Sequence, residues 1–412
     1  MASALPVGEP VPDDGSLPVA ALAEVSTAPL SIYLHVPFCS TRCGYCDFNT
    51  YTASELAGTS VQDYLTAAHA EIALAGRVLD GRAPRASTVF VGGGTPTLLT
   101  PRQLGGLITD VRETFGLTPD AEVTTEANPE TVDEAMLDGL LAGGFTRLSL
   151  GMQSARPHVL ATLDRIHTPG RAVVAAKLAH AAGFRDVSLD LIYGTPGETL
   201  DDWLISLDAA LSASPEHVSA YALIVEDGTP MARRISRGEL PMTDDDDLAD
   251  KYLMASDTLE EAGFECYEVS NWALGPEHRA RHNLAYWQGH NWWGIGPGAH
   301  SHVGGVRWWN AKHPRTYAAA LTDGRTPAVG REVLGVEDRR VERVMLELRL
   351  AEGVPVHVLT ASEQGRIEGI VDRGLGNVRG RYEPRLVLTL AGRLLAAAAP
   401  YPAQSSRARM TA

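Results

Sequence analysis

Residues 31–49 read SIYLHVPFCSTRCGYCDFN, and the organisation of the rest of the chain follows from this stretch. The apolar run from Ile32 to Val36 ends at Pro37, which predicts a buried strand that leads into a loop. The loop holds three of the four cysteines of the chain in a C-x3-C-x2-C spacing: Cys39, Cys43 and Cys46. Thiols with this spacing can point at one object.

These three cysteines indicate a metal centre. A structural zinc site normally has four protein ligands, so three thiolates leave it one short, and a zinc-binding structural module stays open as an alternative. An iron–sulfur cluster normally takes four cysteines, and with three of them one iron is left for a small molecule. The first thirty residues lack the pattern of a secretory signal, which favours metal binding over disulfides.

Length and charge limit the class of protein. A chain of 412 residues with 44% apolar residues is long enough for one large domain and a smaller one. The formal net charge of −16 argues against a nucleic-acid partner and an anionic membrane surface. Because no apolar run reaches about eighteen residues, we expect no membrane-spanning segment, and we expect a cytoplasmic protein.

Strand and helix patterns alternate along residues 31–225. The predicted strands are 31–37, 88–91, 122–125, 147–152, 187–192 and 218–225. The predicted helices between them are 61–79, 104–115, 132–141, 173–182 and 203–211. This alternation predicts an α/β fold with a parallel sheet, either a partial (β/α)6 barrel or an open doubly wound sheet. In both folds ligands bind at the carboxyl ends of the strands.

Changes in composition divide the chain into five parts. We predict a disordered leader at 1–28, a core at 29–240, an extension at 241–330, a winged-helix-like domain at 331–400 and a tail at 401–412. Within the extension, residues 264–310 are rich in aromatic residues, and we expect them to be irregular. The C-terminal domain is only mildly basic, so we interpret it as a packing or lid domain.

Polar residues recur near the predicted carboxyl ends of the strands. Gly92 begins the string G-G-G-T-P-T, and consecutive glycines let the backbone approach a ligand closely. Four polar side chains belong to the strands and loops that follow: Glu126, Gln153, Arg165 and Asp190. Two carboxylates, an amide and a guanidinium around one opening suit a zwitterionic ligand that carries a ribose.

Together these motifs resemble the radical S-adenosylmethionine (SAM) superfamily, in which an aromatic residue such as Tyr45 precedes the last cysteine. One branch contains the oxygen-independent coproporphyrinogen III dehydrogenase HemN and the heme chaperone HemW. This chain is similar to that branch in the strings Y-L-H-V-P-F-C, G-G-G-T-P-T, E-A-N-P-E, L-S-L-G-M-Q-S, D-L-I-Y-G-T-P-G-E and H-N-L-A-Y-W. The resemblance extends from about residue 30 to about residue 390.

The resemblance implies a [4Fe–4S] cluster on Cys39, Cys43 and Cys46, with SAM bound to the fourth iron. It also implies a set of SAM contacts: Tyr33, Gly93, Gly94, Thr95, Glu126, Gln153, Arg165, Asp190, Ala220 and Tyr221. In such enzymes the reduced cluster cleaves SAM to a 5′-deoxyadenosyl radical, while the protein positions and shields the cofactor.

Two features distinguish the members of that branch. The dehydrogenase has a further cysteine two residues after the third, whereas this chain has Phe48 there. The H-N-L-A-Y-W block is typical of the heme chaperones and is linked there to heme binding. It supplies four heme candidates: His282, Asn283, Tyr286 and Trp287. The competing axial ligands are His290, His300 and His302.

Aromatic residues are concentrated in the same region, since six of the seven tryptophans lie between Trp272 and Trp309. Their rings could pack on a porphyrin with a histidine on its iron, or they could form a small core that joins two domains. The resulting prediction is a heme chaperone that passes heme to an unidentified acceptor protein. The alternative is oxidative decarboxylation of coproporphyrinogen III. The resemblance implies exchange between monomer and homodimer, and the sequence leaves the oligomeric state open.

Overall fold

In a computed structural model the described residues are 8–56 and 58–398. They contain one twelve-stranded sheet with helices packed on it and one three-stranded sheet near the C-terminus. The predicted tail at 401–412 and the first seven residues of the predicted leader lie outside the described residues. No helix in the described ranges is both long and apolar enough to cross a lipid bilayer.

The strands are numbered in chain order. The large sheet contains β1 (Leu30–Val36), β2 (Ala86–Gly93), β3 (Leu117–Ala127), β4 (Arg147–Gln153), β5 (Asp186–Tyr193), β6 (His217–Ala222), β7 (Glu265–Glu268), β8 (Asn271–Ala273), β9 (Asn291–Ile295), β10 (His300–Val303), β11 (Val306–Asn310) and β12 (Ala328–Val333). The small sheet contains β13 (Val354–Pro355), β14 (Gly376–Arg379) and β15 (Arg385–Leu388).

The helices are numbered in the same way. They are α1 (Val19–Glu24), α2 (Val61–Leu79), α3 (Pro101–Phe115), α4 (Glu134–Ala142), α5 (Pro157–Thr162), α6 (Arg171–Ala182), α7 (Leu200–Leu211), α8 (Pro230–Ser236), α9 (Asp245–Glu261), α10 (Arg281–Trp287), α11 (Pro314–Thr322), α12 (Val336–Glu347), α13 (Ala361–Gln364), α14 (Ile367–Asp372) and α15 (Leu390–Ala398). Short 3-10 turns occupy Val25–Thr27, Pro96–Leu98, Pro129–Thr131, Pro276–His278 and Val356–Val358.

The first six strands form the core of the large sheet. β1 to β6 lie side by side in chain order and are parallel, with helices between successive strands. This order confirms the predicted α/β fold. The sheet does not close on itself, because β12 and β7 form its two edges. The architecture is therefore a partial barrel.

Side chains alternate between the two faces of each core strand. On β1, Ile32, Leu34 and Val36 are fully buried in the core that the helices cover. The alternate residue Ser31 faces the interior of the curved sheet, where its hydroxyl accepts a hydrogen bond of 2.9 Å from Thr88. This alternation separates an apolar outer core from a polar interior.

Local signals begin the helices near the predicted positions. The bounds of α2 equal the predicted range 61–79, and Ser60 and Asp63 form a capping box at its start. Thr199 and Asp202 form a second capping box at the start of α7. Such caps satisfy backbone N–H groups that have no partner within the helix.

The prediction that residues 264–310 are irregular was wrong. β7 and β8 continue the sheet beyond β6, while β9 to β12 continue it beyond β1. The tryptophans of this region are largely buried, and Trp293 packs against Trp308 with ring centroids 4.7 Å apart. The aromatic residues thus form part of the apolar core next to the strands that extend the large sheet.

The predicted disordered leader was wrong for residues 8–28. This segment contains α1, and Val25 is fully buried in the main core. Glu9 forms an isolated antiparallel bridge with Arg331 on β12. The segment is ordered because it covers apolar surface and pairs with an edge strand, which a proline-rich composition does not reveal.

The C-terminal module comprises α12 to α15 and the three-stranded sheet β13-β15-β14. Leu350 forms a bridge with Glu268, and the N–H of Ala351 donates to the Tyr267 carbonyl at 2.9 Å. These contacts attach the module to the end of the large sheet at β7. The winged-helix-like character of the module and the domain bounds stay predictions.

Candidate functional site

The cysteine loop is held by the glycines that end β2. The N–H of Gly94 donates to the Val36 carbonyl at 2.8 Å, and the N–H of Thr95 donates to the Phe38 carbonyl at 2.7 Å. A Cβ atom at Gly94 would lie 2.3 Å from the Phe38 carbonyl oxygen. Glycine is required here because the two backbone segments approach so closely.

The three thiols of the loop are free and partly buried. Burial raises the pKa of the Cys39 thiol and raises the pKa of the Cys46 thiol to about 12. Arg165 lies beside the middle thiol, with its Nη1 atom 3.5 Å from Cys43 Sγ. A thiol binds metal only as the thiolate. The positive charge of the Arg165 guanidinium and of bound iron would favour the thiolate form of these cysteines.

The arrangement of the thiols suits a cluster. In the described residues no three His, Cys, Asp or Glu side chains are grouped closely enough to hold one metal ion. The ligands of an iron–sulfur cluster bind different iron atoms, so they do not have to meet at one point. Three free thiols on one loop fit that requirement, and the assignment of a cluster to Cys39, Cys43 and Cys46 stays a prediction.

Two partly buried carboxylates lie inside the curved sheet near the loop. Glu126 accepts a hydrogen bond of 2.9 Å from the Gly93 N–H, and Asp190 accepts one of 2.8 Å from Ser149 Oγ. Burial raises the pKa of Glu126 to about 8, and the nearby Asp190 carboxylate adds to the rise. Burial also raises the pKa of Asp190. A cationic group of a ligand would be favoured at this pair of carboxylates.

Arg165 and Gln153 converge over Gly151. A Cβ atom at Gly151 would lie 2.6 Å from Arg165 Nη2 and 2.9 Å from Gln153 Nε2. The register of β4 shifts between Gly151 and Gln153, and Gln153 has a φ of 63°. A bulge of this kind redirects a side chain, and a positive φ marks a residue held by its surroundings.

The guanidinium of Arg165 retains donors for a ligand. Its Nη2 atom donates to the Gly151 carbonyl at 3.1 Å, while its Nε atom is buried and has no hydrogen bond within the described part of the chain. A buried donor without a partner carries a free-energy cost that an anionic ligand would remove. Arg165 is therefore well placed to receive a carboxylate.

Tyr33 lies on the interior face of β1 and connects to the cysteine loop. Its hydroxyl is 3.0 Å from His35 Nδ1, and His35 Nε2 is 3.0 Å from the Asn49 carbonyl oxygen. Asn49 Nδ2 donates to the Pro297 carbonyl at 3.0 Å. The extension thus helps to fix the far end of the loop.

The two predicted contacts on β6 have different orientations. Ala220 is fully buried in the outer core, so only its backbone is available on the interior side. Tyr221 is 39% exposed as a whole residue, while enclosure of its hydroxyl group, together with the nearby Asp190 carboxylate, raises its pKa. The structure brings together seven predicted SAM contacts around the interior opening: Tyr33, Gly93, Glu126, Gln153, Arg165, Asp190 and Tyr221.

The H-N-L-A-Y-W block forms α10, which lies at the amino ends of the core strands. The N–H groups of Arg281 and His282 donate to the two carboxylate oxygens of Glu122, at 3.0 Å and 2.9 Å. His282 Nδ1 is 2.7 Å from Thr88 Oγ1, and His282 Nε2 is 2.9 Å from the Tyr286 hydroxyl. The ring is 2% exposed, and both of its nitrogens have protein partners.

The other residues of the block also act as anchors. Asn283 Nδ2 donates to Glu268 Oε1 at 2.7 Å, and Trp287 ends α10 partly buried. Burial raises the pKa of Tyr286, and the Glu126 carboxylate adds to the rise, so Tyr286 lies beneath the candidate SAM site. The block therefore closes the barrel interior at the amino ends of the core strands. Its role in heme binding stays a prediction.

Arg147 is a residue that the sequence reasoning missed. It is buried at the start of β4, 3.8 Å from Glu122 and 3.9 Å from Asp186, and it donates to Ser188 Oγ at 3.1 Å. This ionic network holds α10 against the strands, because Glu122 also accepts from the backbone of α10. The alternation Arg147, Ser149, Gly151 along β4 was a signal that could have identified it.

The three competing histidines, His290, His300 and His302, all lie in the extension. His300 and His302 are on β10, and burial lowers the pKa of each to about 4. His302 Nδ1 is 3.1 Å from the His290 carbonyl oxygen. His290 follows α10, and its ring has no hydrogen-bond partner within the described residues.

Comparison with known proteins identifies the class of this fold. The sequence pattern of the radical SAM superfamily matches residues 33–210. The solved structure of HemN from Escherichia coli, described as a coproporphyrinogen III oxidase and a radical SAM enzyme, has a TM-score of 0.77 and 24% sequence identity, over 91% of this chain and 90% of that one. Residues 33–210 therefore form a domain of the radical SAM class, and most of the chain shares the fold of HemN.

Two relatives narrow the assignment. The heme chaperone HemW of Mycobacterium tuberculosis is 54% identical over 375 residues, which cover 91% of this chain and 95% of the relative. The heme chaperone HemW of Escherichia coli is 36% identical over 336 residues, which cover 80% of this chain and 85% of the relative. The chain belongs to the HemW heme chaperone family.

Proposed function

We propose that this protein binds heme and transfers it to an acceptor protein. The observation that carries the proposal is 54% identity, over 91% of the chain, to a relative that is named a heme chaperone. The length of the match is important, because the similarity includes the extension and the C-terminal module as well as the radical SAM core. The proposal therefore applies to the whole chain.

The cofactors of the proposed function are a [4Fe–4S] cluster and exchangeable SAM. Cys39, Cys43 and Cys46 would hold the cluster, which when bound supplies an open iron for SAM and an electron for its cleavage. Glu126 and Asp190 would receive amine and hydroxyl groups of SAM, and Arg165 would receive its carboxylate. The polar interior of the sheet provides these groups from rigid strands.

Phe48 supports heme transfer over the alternative reaction, the oxidative decarboxylation of coproporphyrinogen III. In the dehydrogenase branch this position carries a further cysteine, and here the side chain has no thiol. The fold likeness to HemN does not decide the reaction, because one fold hosts different functions.

The test uses anaerobically reconstituted protein with its cluster in place. We expect hemin to bind saturably, with a new Soret band, and then to move to an apo-heme protein added in excess. Absence of saturable binding would contradict the proposal. A parallel incubation with SAM, reductant and coproporphyrinogen III would yield protoporphyrinogen if the dehydrogenase alternative were correct.

The finer features of the proposal concern location and assembly. We infer a cytoplasmic protein, supported by an acidic composition with net charge −16 and by the oxygen sensitivity expected of a cluster with an open iron. We also infer exchange between monomer and homodimer. Light scattering at several protein concentrations, with and without SAM, tests the exchange, and a single mass under every condition would contradict it.

A further inference from the structure

The loop between α5 and α6 carries Arg165, the candidate contact of the SAM carboxylate. Two contacts direct its guanidinium to the candidate site: Nη1 lies 3.5 Å from Cys43 Sγ, and Nη2 donates to the Gly151 carbonyl at 3.1 Å. A side chain on a loop is placed only as precisely as the backbone that carries it. The contacts that fix this loop therefore decide where the guanidinium meets a ligand.

Glu130 holds this loop from the neighbouring strand end. It lies in the 3-10 turn Pro129–Thr131, which follows β3. Its Oε1 atom accepts a hydrogen bond of 2.5 Å from the N–H of Thr168, three residues after Arg165. This N–H, with a smaller contribution from the Thr168 hydroxyl, lowers the pKa of Glu130. The carboxylate is therefore ionised near pH 7, and a charged acceptor makes the hydrogen bond stronger.

Glu130 is itself held by residues of two sequence motifs. Asn128 Oδ1, in the string E-A-N-P-E, accepts a hydrogen bond of 3.1 Å from the Glu130 N–H. Thr131 Oγ1 donates to the Asn128 carbonyl at 2.7 Å and is hydrogen-bonded to Thr97, in the string G-G-G-T-P-T. We call these residues together the rim clamp: Thr97, Asn128, Glu130, Thr131 and Thr168. The rim clamp joins the loop after β2 and the turn after β3 to the loop that carries Arg165.

His167 lies near both Glu130 and Arg165 and packs there without a charge. The residue is 9% exposed, and its Nδ1 atom is buried without a hydrogen bond in the described residues. Burial lowers the pKa of His167 to about 4; the Arg165 charge lowers it further, and the Glu130 charge opposes this change. The ring is therefore neutral near pH 7. A neutral ring at this position does not repel the guanidinium, so the loop can pack closely around it.

We propose that Glu130 is a positioning residue for SAM: through the Thr168 N–H it fixes the loop that aims the Arg165 guanidinium at the SAM carboxylate. The inference rests on the proposed function, which includes SAM bound to the open iron. Glu130 is exposed and has no hydrogen bond to a candidate SAM contact within residues 8–56 and 58–398, so its effect passes through the loop. Glu126 and Asp190 lie on strands. Loss of Glu130 should therefore weaken the carboxylate contact and spare the amine and ribose contacts.

The carboxylate contact is tested with SAM and with decarboxylated SAM, which lacks only the carboxylate. Calorimetric titration uses the full-length, cluster-loaded protein. We expect Glu130→Ala to weaken SAM binding about fivefold, the effect of one ordinary hydrogen bond, and to leave the binding of decarboxylated SAM nearly unchanged. Glu130→Gln keeps an oxygen acceptor for the Thr168 N–H and should restore most of the SAM affinity. Glu134→Ala, at an exposed position of α4, is the matched control and should bind both ligands like the unmodified protein.

Hydrogen–deuterium exchange tests the rim clamp in the absence of SAM. The peptide that covers residues 165–171 should exchange faster in Glu130→Ala than in the unmodified protein, because the Thr168 N–H loses its acceptor. In Glu130→Gln the same peptide should stay close to the unmodified protein. The peptide of α2 is the internal reference and should exchange equally in every variant. Circular dichroism and cluster absorbance verify that each variant is folded.

Failure of the positioning role and failure of the proposed function give different results. If the unmodified protein binds no SAM, the proposed cofactor set is wrong. If it binds SAM and Glu130→Ala binds SAM equally well, only the positioning role of Glu130 is overturned. The same role is overturned if Glu130→Ala weakens the binding of both ligands equally, because the effect would then not pass through the carboxylate contact.

Discussion

At the scale of single residues, each predicted cofactor contact has a distinct physical setting. Cys43 has a guanidinium beside it, whereas the other two thiols of the loop have pKa values raised by burial. Asp190 is partly buried and accepts a hydrogen bond from a serine hydroxyl, whereas Glu126 accepts one from the glycine turn after β2. These settings explain why the residues are not interchangeable with other cysteines and carboxylates of the chain.

Replacement of Cys43 by alanine should abolish the cluster. Two remaining thiolates cannot hold a [4Fe–4S] cluster, so iron should fall from about four atoms per chain to background. Iron analysis and absorbance near 400 nm measure the effect. Cys266→Ala is the matched control, because Cys266 lies on β7 and should not affect iron content; full iron in the Cys43 variant would refute the assignment.

Asp190→Ala should weaken SAM binding while the cluster stays intact. The change removes one of two carboxylates at the interior opening, and we expect a loss of about tenfold, or about 1.4 kcal/mol. Calorimetric titration of the reconstituted protein measures the affinity. Asp138→Ala, at an exposed position of α4, should bind SAM as before. Equal affinity in the two variants would remove Asp190 from the site.

At the scale of elements, strand ends and turns decide the geometry of the site. In the turn after β2, the N–H groups of Gly94 and Thr95 donate to the carbonyls of Val36 and Phe38 at the end of β1. These hydrogen bonds join the two strand ends and the cysteine loop into one rigid unit. α10 has the corresponding role at the amino ends of the strands, where Glu122 accepts both of its first N–H groups. The candidate site is therefore supported from both ends of the barrel.

Gly94→Ala should disrupt the cysteine loop. The new Cβ atom would lie 2.3 Å from the Phe38 carbonyl oxygen, so the loop has to move away from the turn. We expect a loss of about 1–3 kcal/mol in unfolding free energy together with reduced cluster content. Denaturant unfolding and iron analysis measure these quantities.

Gly369→Ala is the matched control for this substitution. Gly369 lies in α14, where a Cβ atom would meet no atom within 4 Å. Alanine should raise the unfolding free energy there by up to about 1 kcal/mol, because it favours the helix. A Gly94 variant with the same behaviour as the Gly369 variant would contradict the close packing of the turn.

At the scale of the whole molecule, the extension is bound to the core through buried polar contacts. Glu71 on α2 accepts hydrogen bonds from the Gly296 N–H at 2.8 Å, from Asn310 Nδ2 at 2.7 Å and from the Tyr317 hydroxyl at 2.5 Å. Burial raises the pKa of Glu71 to about 7. One carboxyl group therefore joins three segments of the extension to the first core helix.

This carboxyl group should make the stability of the protein depend on pH. Its pKa in the folded state is raised above the value of 4.5 for the unfolded chain, so its contribution is fully present below pH 4.5 and is lost as the pH rises through about 7. Glu71→Gln should lessen this loss by on the order of 3 kcal/mol between pH 5 and pH 8. Unfolding at several pH values measures it.

The control for Glu71 is Glu113→Gln, at an exposed position of α3. Its unfolding free energy should follow that of the unmodified protein at every pH. If the Glu71 variant also followed the unmodified protein, the buried carboxyl group would not be the source of the pH dependence.

The sequence by itself determined the core fold and the candidate cofactor residues. Strands of alternating polarity and helices with local caps are short-range patterns, so β1 to β6 could be predicted from the sequence. Cys39, Gly94 and Asp190 could be identified as candidate site residues because each stands in a short motif within or next to one of these strands. The resemblance to a known superfamily added the identity of the cofactor. These features depend on neighbours in the chain.

Only the tertiary structure decided how distant segments meet. The extension adds strands to both edges of the sheet, residues 8–28 pack on the core, and His282 is enclosed by Thr88 and Tyr286. One surface cleft likewise joins His290 to Arg343 and Arg385, which lie far along the chain. Such contacts depend on the path of the chain in space, and no short-range pattern of apolar and polar residues encodes that path.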